Sequence, residues 1–389
     1  MWDMTINIQN KELLNNSIAP VLMADGWSCV NNDSHIQFLV ATPEPIYLKS
    51  FHPETNRHTA DYIFECADNL LSDNSVQYAA FISDHASNMK KAWKLINLKY
   101  KDVECYGCGA HAIELLALDC LAVIKLKHKK ISNFFRNHHI PKAILCEYQA
   151  LAKETPLVCL NAVSTRWSSV YEMEFRNSKL QNYLRIVISD KRCSTELKNA
   201  MFVKDFIFDN EFWKLSDCCI AMLRPIRNAI KEIEGNDVRV SVLPRVWRYI
   251  KTEVTATLNC VDCPLSEEDK LMIIKCVSDR AEFSIQNVQK AANMLDPRFI
   301  GCDLTDVQKA DGLHTIVKIA SQKCLSKSDV IDDYMKFKAK SGVVYGNPLI
   351  WETITLNTDP LIWWKAFCAA TTLLCCSKIF VFSIHHSMC

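Results

Sequence analysis

Two aspartates stand out for the chemistry their positions allow. Asp25 lies in Ala24-Asp25-Gly26-Trp27-Ser28, at the end of an apolar run, and Asp84 follows another in Ser83-Asp84-His85-Ala86-Ser87-Asn88-Met89. If those runs are neighbouring strands, the two carboxylates converge. Two such charges repel and raise each other's pKa unless a cation lies between them. Mg²⁺ or Mn²⁺ is the natural occupant, because a hard divalent ion prefers carboxylate oxygen and water. A pair of ions roughly 4 Å apart can activate an attacking hydroxyl and stabilise the leaving oxygen of a phosphodiester, and such a site normally draws on a third carboxylate. Plainer roles compete. An Asp-Gly step suits a turn, and Asp84 precedes a helix that it could cap. Only the pair, in the right order of elements, favours a metal.

That order is legible. Apolar runs at Ile18 to Ala24, Ile36 to Ala41 and Ile46 to Leu48 read as three strands of a meander, separated by Asn, Asp and Pro. From Thr59, the spacing of Tyr62, Ile63, Ala67, Leu70 and Leu71 predicts a helix. Val76 to Ile82 reads as a strand, Ala86 to Lys99 as a helix, Val103 to Tyr106 as a strand and Ala110 to Leu126 as a helix. Alternation of this kind makes a mixed sheet covered by helices. After about residue 128 strand signals become rare. Phe202 to Trp213, Ala221 to Glu234, Leu271 to Leu295 and Val330 to Phe337 suggest helices, with breaks at Pro225, Gly235, Pro244, Pro264 and Pro297.

Other residues could contribute. Cys105-x-x-Cys108-x-x-His111 has ligand types that could hold zinc with a fourth from His138 or His139, although a Cys on a buried strand more often serves as a small hydrophobe. Cys260-x-x-Cys263 has no His or Cys pair near it in sequence and is a weaker metal candidate still. Arg166 beside Trp167 could hold a phosphate or stack on a base, or pair with an acid beside a buried Trp. Lys125, Lys127, His128, Lys129, Lys130, Arg136, His138, His139 and Lys142 form the densest basic stretch. A solvated helix face is its default meaning, and backbone contact with DNA its functional one. Trp213, Trp247 and Tyr249 sit among apolar neighbours, as core residues do.

Composition narrows the classes. The chain has 389 residues, 49% hydrophobic and 23% charged, which excludes general disorder and allows two or three domains. Lys and Arg number 45 against 44 Asp and Glu, so any nucleic-acid contact must come from local patches. Nineteen Cys, an odd count, without a signal-like opening argue for reduced thiols. Ala366 to Ile384 is apolar but marginal as a membrane span and carries Lys378.

Together these motifs resemble the catalytic region of hAT transposases. Asp25-Gly26-Trp27-Ser28 resembles that family's first-aspartate motif and Ser83-Asp84-His85-Ala86-Ser87-Asn88-Met89 its second. Cys108-Gly109-Ala110-His111, with Leu115 and Asp119, is similar to its Cys-x-x-His segment, and Thr165-Arg166-Trp167-Ser168-Ser169 to its Thr-Arg-Trp signature. Leu223-Arg224-Pro225-Ile226 with Glu234-Gly235, and Ala291-Ala292-Asn293-Met294-Leu295-Asp296-Pro297-Arg298-Phe299, resemble stretches of its helical insertion. Asp359-Pro360-Leu361-Ile362-Trp363-Trp364-Lys365 resembles the start of its dimerisation segment.

The resemblance implies an α/β, ribonuclease-H-like mixed sheet over residues 1–128 and a mainly helical insertion over 129–345. A truncated dimerisation segment with an aberrant apolar tail would occupy 346–389. It implies Asp25 and Asp84 as catalytic metal ligands for Mg²⁺ or Mn²⁺. Arg166, Trp167, His111, Lys127, Lys129 and Lys130 would meet DNA, in a nuclear, weakly homo-oligomeric protein without membrane attachment. Two departures count against activity. The chain opens almost at the first strand, where the family usually carries a zinc finger. After Ala366 it reads FCAATTLLCCSKIFVFSIHHSMC, without the family's catalytic Glu. The expectation is therefore a transposase-derived protein that has lost DNA cleavage and strand transfer. The alternatives are a host-retained protein that binds DNA or a protein partner, and an active enzyme recruiting Glu352 or Glu114. Three structural expectations follow: Asp25 and Asp84 at adjacent strand ends, no carboxylate from residues 300–389 beside them, and a tail after Phe367 that does not pack, in which Ile379-Phe380-Val381-Phe382-Ser383-Ile384 reads as a strand.

Overall fold

The structure is a computed structural model that describes residues 20–28, 34–42, 44–52, 59–73, 76–124, 129–162, 167–193, 201–235, 238–322 and 324–381. The chain forms two compact units. One gathers Met1–Ala112, Lys231–Arg248 and Ala281–Cys389, and the other Ile113–Ile230 and Tyr249–Arg280. Residues 281–345 fall in the unit that holds the sheet.

The first unit holds a five-stranded mixed sheet. Strands β1 (Val21–Ser28), β2 (Ser34–Thr42) and β3 (Glu44–Phe51) form the antiparallel meander. Helix α1 (Ala60–Leu71) follows, its first turn capped by Thr59, whose Oγ1 accepts the Tyr62 N–H at 3.2 Å. Strand β4 (Ala80–Ser83) then pairs parallel to β1, helix α2 (Ser87–Lys99) crosses over, and β5 (Glu104–Gly107) pairs parallel to β4. The strand order is β3-β2-β1-β4-β5. Parallel β1-β4-β5 pairing requires crossovers, and α1 and α2 supply them.

Period two decides what each strand face meets. Leu22 and Ala24 of β1, Ile36, Phe38 and Val40 of β2 and Phe81 of β4 bury against Ile63, Ala67, Met89, Ala92 and Ile96 of α1 and α2. Each large side chain buried there contributes roughly 1.5–3 kcal/mol.

Helix α3 (Gly109–Ile124) leads into the second unit. There α4 (Lys129–Asn137), α5 (His139–Leu151), α6 (Trp167–Ser189), α7 (Met201–Phe208) and α8 (Asn210–Ile233) surround a core of Phe134, Phe135, Leu145, Leu184, Ile207 and Trp213. The break expected at Pro225 does not occur: Pro225 lies inside α8. A mid-helix Pro forfeits one hydrogen bond and strains the turn before it. Buried Met222, Leu223, Ile226, Ala229 and Ile230 on both sides hold the helix through it.

Helices α9 (Leu243–Leu258) and α10 (Glu267–Ser284) begin after the expected breaks at Pro244 and Pro264 or beside them. In the first unit follow α11 (Asn287–Leu295), α12 (Asp306–Ser321), α13 (Lys327–Lys338), α14 (Gly342–Tyr345), α15 (Leu349–Glu352) and α16 (Pro360–Phe367). Trp363 and Trp364 are fully buried there. Their indole N–H groups donate to Ile350 O and Leu295 O, each at 2.9 Å.

The tail departs from expectation. Thr372–Val381 is a 3-10 helix rather than a strand. With three residues per turn, Leu373 and Cys376 fall on one side. Both are buried, and the Leu373 N–H donates to Asp333 Oδ2 of α13 at 2.9 Å. An acidic side chain that captures a backbone N–H, together with apolar residues at that spacing, favours helical winding over a free strand. Residues 382–384 of the expected strand lie outside the described residues. No helix among the described residues is long and apolar enough to cross a membrane.

Candidate carboxylate site

The register places the two aspartates. Pairing of β1 with β4 ends at Ala24↔Ser83, so Asp25 and Asp84 are the next residue on each of two adjacent parallel chains. Neighbouring strands lie about 4.8 Å apart. Asp25 is not a strand terminus, however. Strand β1 continues to Ser28 against β2, with Asp25 opposite Gln37, because β2 outlasts β4.

Alternation also sets direction. Leu22 and Ala24 face α1 and α2, which puts Asp25 on the opposite face of the sheet. Ser83 faces α2, where the Trp93 Nε1–H donates to its Oγ at 2.9 Å in a buried bond. The Ser83 hydroxyl in turn donates to Asp84 O at 3.0 Å, and Cys108 N–H donates to Ser83 O at 2.8 Å. The backbone leading into Asp84 is thus fixed from both sides.

Asp84 keeps the local role that its position before a helix suggests. Its Oδ1 accepts the Ala86 N–H at 2.8 Å. Asp25 is half-buried, and burial pushes its carboxyl up to about 6. The Asp84 carboxylate adds to that rise, and the Gly26 N–H opposes it. Two acidic groups held where one resists ionisation form a receptor for positive charge.

Around Asp84 the aromatic packing is close. His85 is buried, its ring 4.3 Å from Phe283, 6.0 Å from Trp93 and stacked on His111 at 6.3 Å. His111, expected near DNA, thus lies one ring away from the residue after Asp84. A Cβ at Gly107 would enter the His85 ring, so only glycine fits there. The Gly107 N–H donates to Gln286 Oε1 at 3.3 Å. Sequence reasoning missed Gly107, Phe283 and the buried bond from Trp93 to Ser83, since no local spacing announces these contacts.

Arg166 and Lys127 lie outside the described residues, as do the side chains of Trp167 and Lys129. Lys130 is exposed in the second unit, with its Nζ 5.1 Å from the centre of the Phe202 ring. Glu352 ends the short helix α15 on the surface. The zinc alternative fails at Cys105, which packs with the α1 and α2 core and whose thiol burial pushes well up. Among the described residues no three His, Cys, Asp or Glu side chains converge in a way that could hold a metal. Trp213 and Trp247 are core residues.

No curated protein matches the chain. Residues 12–134, which span the five strands, α1, α2 and α3, match the family described as a domain of unknown function (DUF659).

Proposed function

We propose that this protein has a ribonuclease-H-like core of the hAT transposase type, in which Asp25 and Asp84 hold a divalent cation weakly and the chain does not cleave DNA. One observation carries the reading: two carboxylates follow the last paired residues of adjacent parallel strands, in an α/β sheet of order β3-β2-β1-β4-β5. The matched domain supports it, being associated with hAT-like transposase-related proteins.

Asp25 and Asp84 would share the ion, which would supply charge for a phosphate oxygen. Asp84 stays oriented by Ala86, and Ser83 by Trp93. Mn²⁺ titration of the purified chain, followed by thermal unfolding, should show stabilisation that saturates at millimolar metal and disappears in Asp25→Asn. Incubation with plasmid and oligonucleotide DNA and Mn²⁺ should leave the DNA intact. Cleavage that Asp25→Asn abolishes would overturn the inactive reading, and absence of any metal response would overturn the site.

A second reading has its own support. Burial of Leu373 and Cys376 against helices of the first unit gives the tail a place in a maintained fold. A non-enzymatic DNA- or protein-binding protein uses such a fold without chemistry. DNA binding in a nuclease-free gel-shift assay, unaffected by Asp25→Asn, would favour it.

A further inference from the structure

The second unit contains three thiols at one place. Cys218 of α8 and Cys263, in the turn between α9 and α10, have their sulfurs 3.7 Å apart. The Cys263 N–H donates to Cys260 O at 3.1 Å, which closes Cys260-Val261-Asp262-Cys263 into a tight turn. Its tip is open to solvent: Cys260 is exposed and Val261 is 99% exposed. Cys260 also interacts electrostatically with Cys218.

A cation stands beside the pair. Lys270 of α10, held to Glu267 at 2.8 Å, has its charge stabilised by Cys263 and Cys218 as well. Lys270 opposes the rise at Cys218 but is outweighed there by burial. Burial first, then Cys263, push the Cys218 thiol up to about 12, so Cys218 is the partner that keeps its proton.

We propose that Cys218 and Cys263 form a reversible disulfide that joins α8 to the 260–263 turn, by exchange with a low-molecular-weight disulfide such as oxidised glutathione. The sulfurs must close by about 1.6 Å to reach the ~2.05 Å of a bond, which a surface turn can accommodate. Cys263, having released its proton to solvent, attacks one sulfur of the reagent, forms a mixed disulfide and expels a thiolate, which takes up a proton. Cys218 then gives up its proton and attacks the Cys263 sulfur, expelling the second thiolate, which is protonated in turn. Two protein thiols and one reagent disulfide become one protein disulfide and two reagent thiols, so electrons and protons balance.

The test uses the full chain, incubated with oxidised glutathione, quenched with an alkylating agent under denaturing conditions and digested with trypsin. Peptide 215–227, which carries Cys218 and Cys219, should be recovered joined to peptide 252–270, which carries Cys260 and Cys263. Fragment ions should place the bond at Cys218 and Cys263, and dithiothreitol should release it. Cys260→Ser should keep the joined pair, and Cys218→Ser should lose it. A bond from Cys260 to Cys263, glutathione adducts alone, full alkylation of all thiols, or loss of the joined pair in Cys260→Ser would each overturn the proposal. The Cys260→Ser arm reads out even if Cys218→Ser, at a mostly buried helix position, does not fold.

Discussion

At the scale of single residues, Asp25 carries an electrostatic cost with a definite sign. Its carboxyl is raised to about 6 in the folded chain from 3.8, so the folded state holds the proton more tightly than the unfolded state. The stability this contributes is fully present below pH 3.8 and is lost as pH rises through 6. A rise of that size corresponds to about 3 kcal/mol at most, less after solvent screening of a half-buried group. Asp25→Asn should therefore raise the unfolding temperature at pH 7.5 by several degrees and leave it nearly unchanged at pH 4. Equal shifts at both pH values would refute this account of the site. Gly107 makes a steric prediction. Its missing Cβ is the space that the His85 ring occupies, so Gly107→Ala must displace His85, with overpacking costs of typically 1–3 kcal/mol. Urea unfolding measures that loss, and a change below about 0.5 kcal/mol would show that the ring moves freely. Asp25 and Asp84 were legible because each closes an apolar run and is followed by turn or cap residues. Gly107 was not, because nothing near it in sequence announces the ring of His85.

At the scale of elements, hydrophobic period and turn residues were enough to order the strands and helices of residues 20–124. Alternation in β2 and the helical spacing in α1 are strong local signals, and tertiary packing agrees with them. Where local signals failed, long-range contacts decided. Proline at 225 is a helix breaker by local rule, yet α8 runs through it between buried neighbours. The apolar tail is β-prone by composition, yet its described part winds as a 3-10 helix because Asp333 accepts the Leu373 N–H and both Leu373 and Cys376 find cover. If that segment is part of the fold, Leu373→Ala should cost about 2–5 kcal/mol, the range for emptying a buried leucine site. Limited proteolysis should then cut near residues 368–376 faster than in the parent chain. Identical protease patterns would return the tail to the status of an unpacked extension.

At the scale of the whole molecule, the first unit is assembled from three separate stretches of chain, and sequence order hides this. The Asp296-Pro297-Arg298-Phe299 motif was visible as a string, but its role depends on what it meets after the chain returns. Asp296 is fully buried and accepts the Ser241 hydroxyl at 2.7 Å, while Arg298 donates to both of its oxygens at 2.9 and 2.6 Å. Arg298 also donates to Leu356 O at 3.0 Å, and Asn293 donates to Ser241 O at 2.9 Å. One buried ion pair thus ties residues 240–242, the end of α11 and the segment before α16. Removing one member of such a pair strands the other charge, with losses of about 3–5 kcal/mol, whereas removing both charges together costs much less. Arg298→Met should accordingly lower the unfolding temperature severely, and Asp296→Asn combined with Arg298→Met should recover a good part of the loss. A double variant no more stable than Arg298→Met would mean that Arg298 acts through its bond to Leu356 O and its packing. In that case the stretches would be joined by shape rather than by the buried charge.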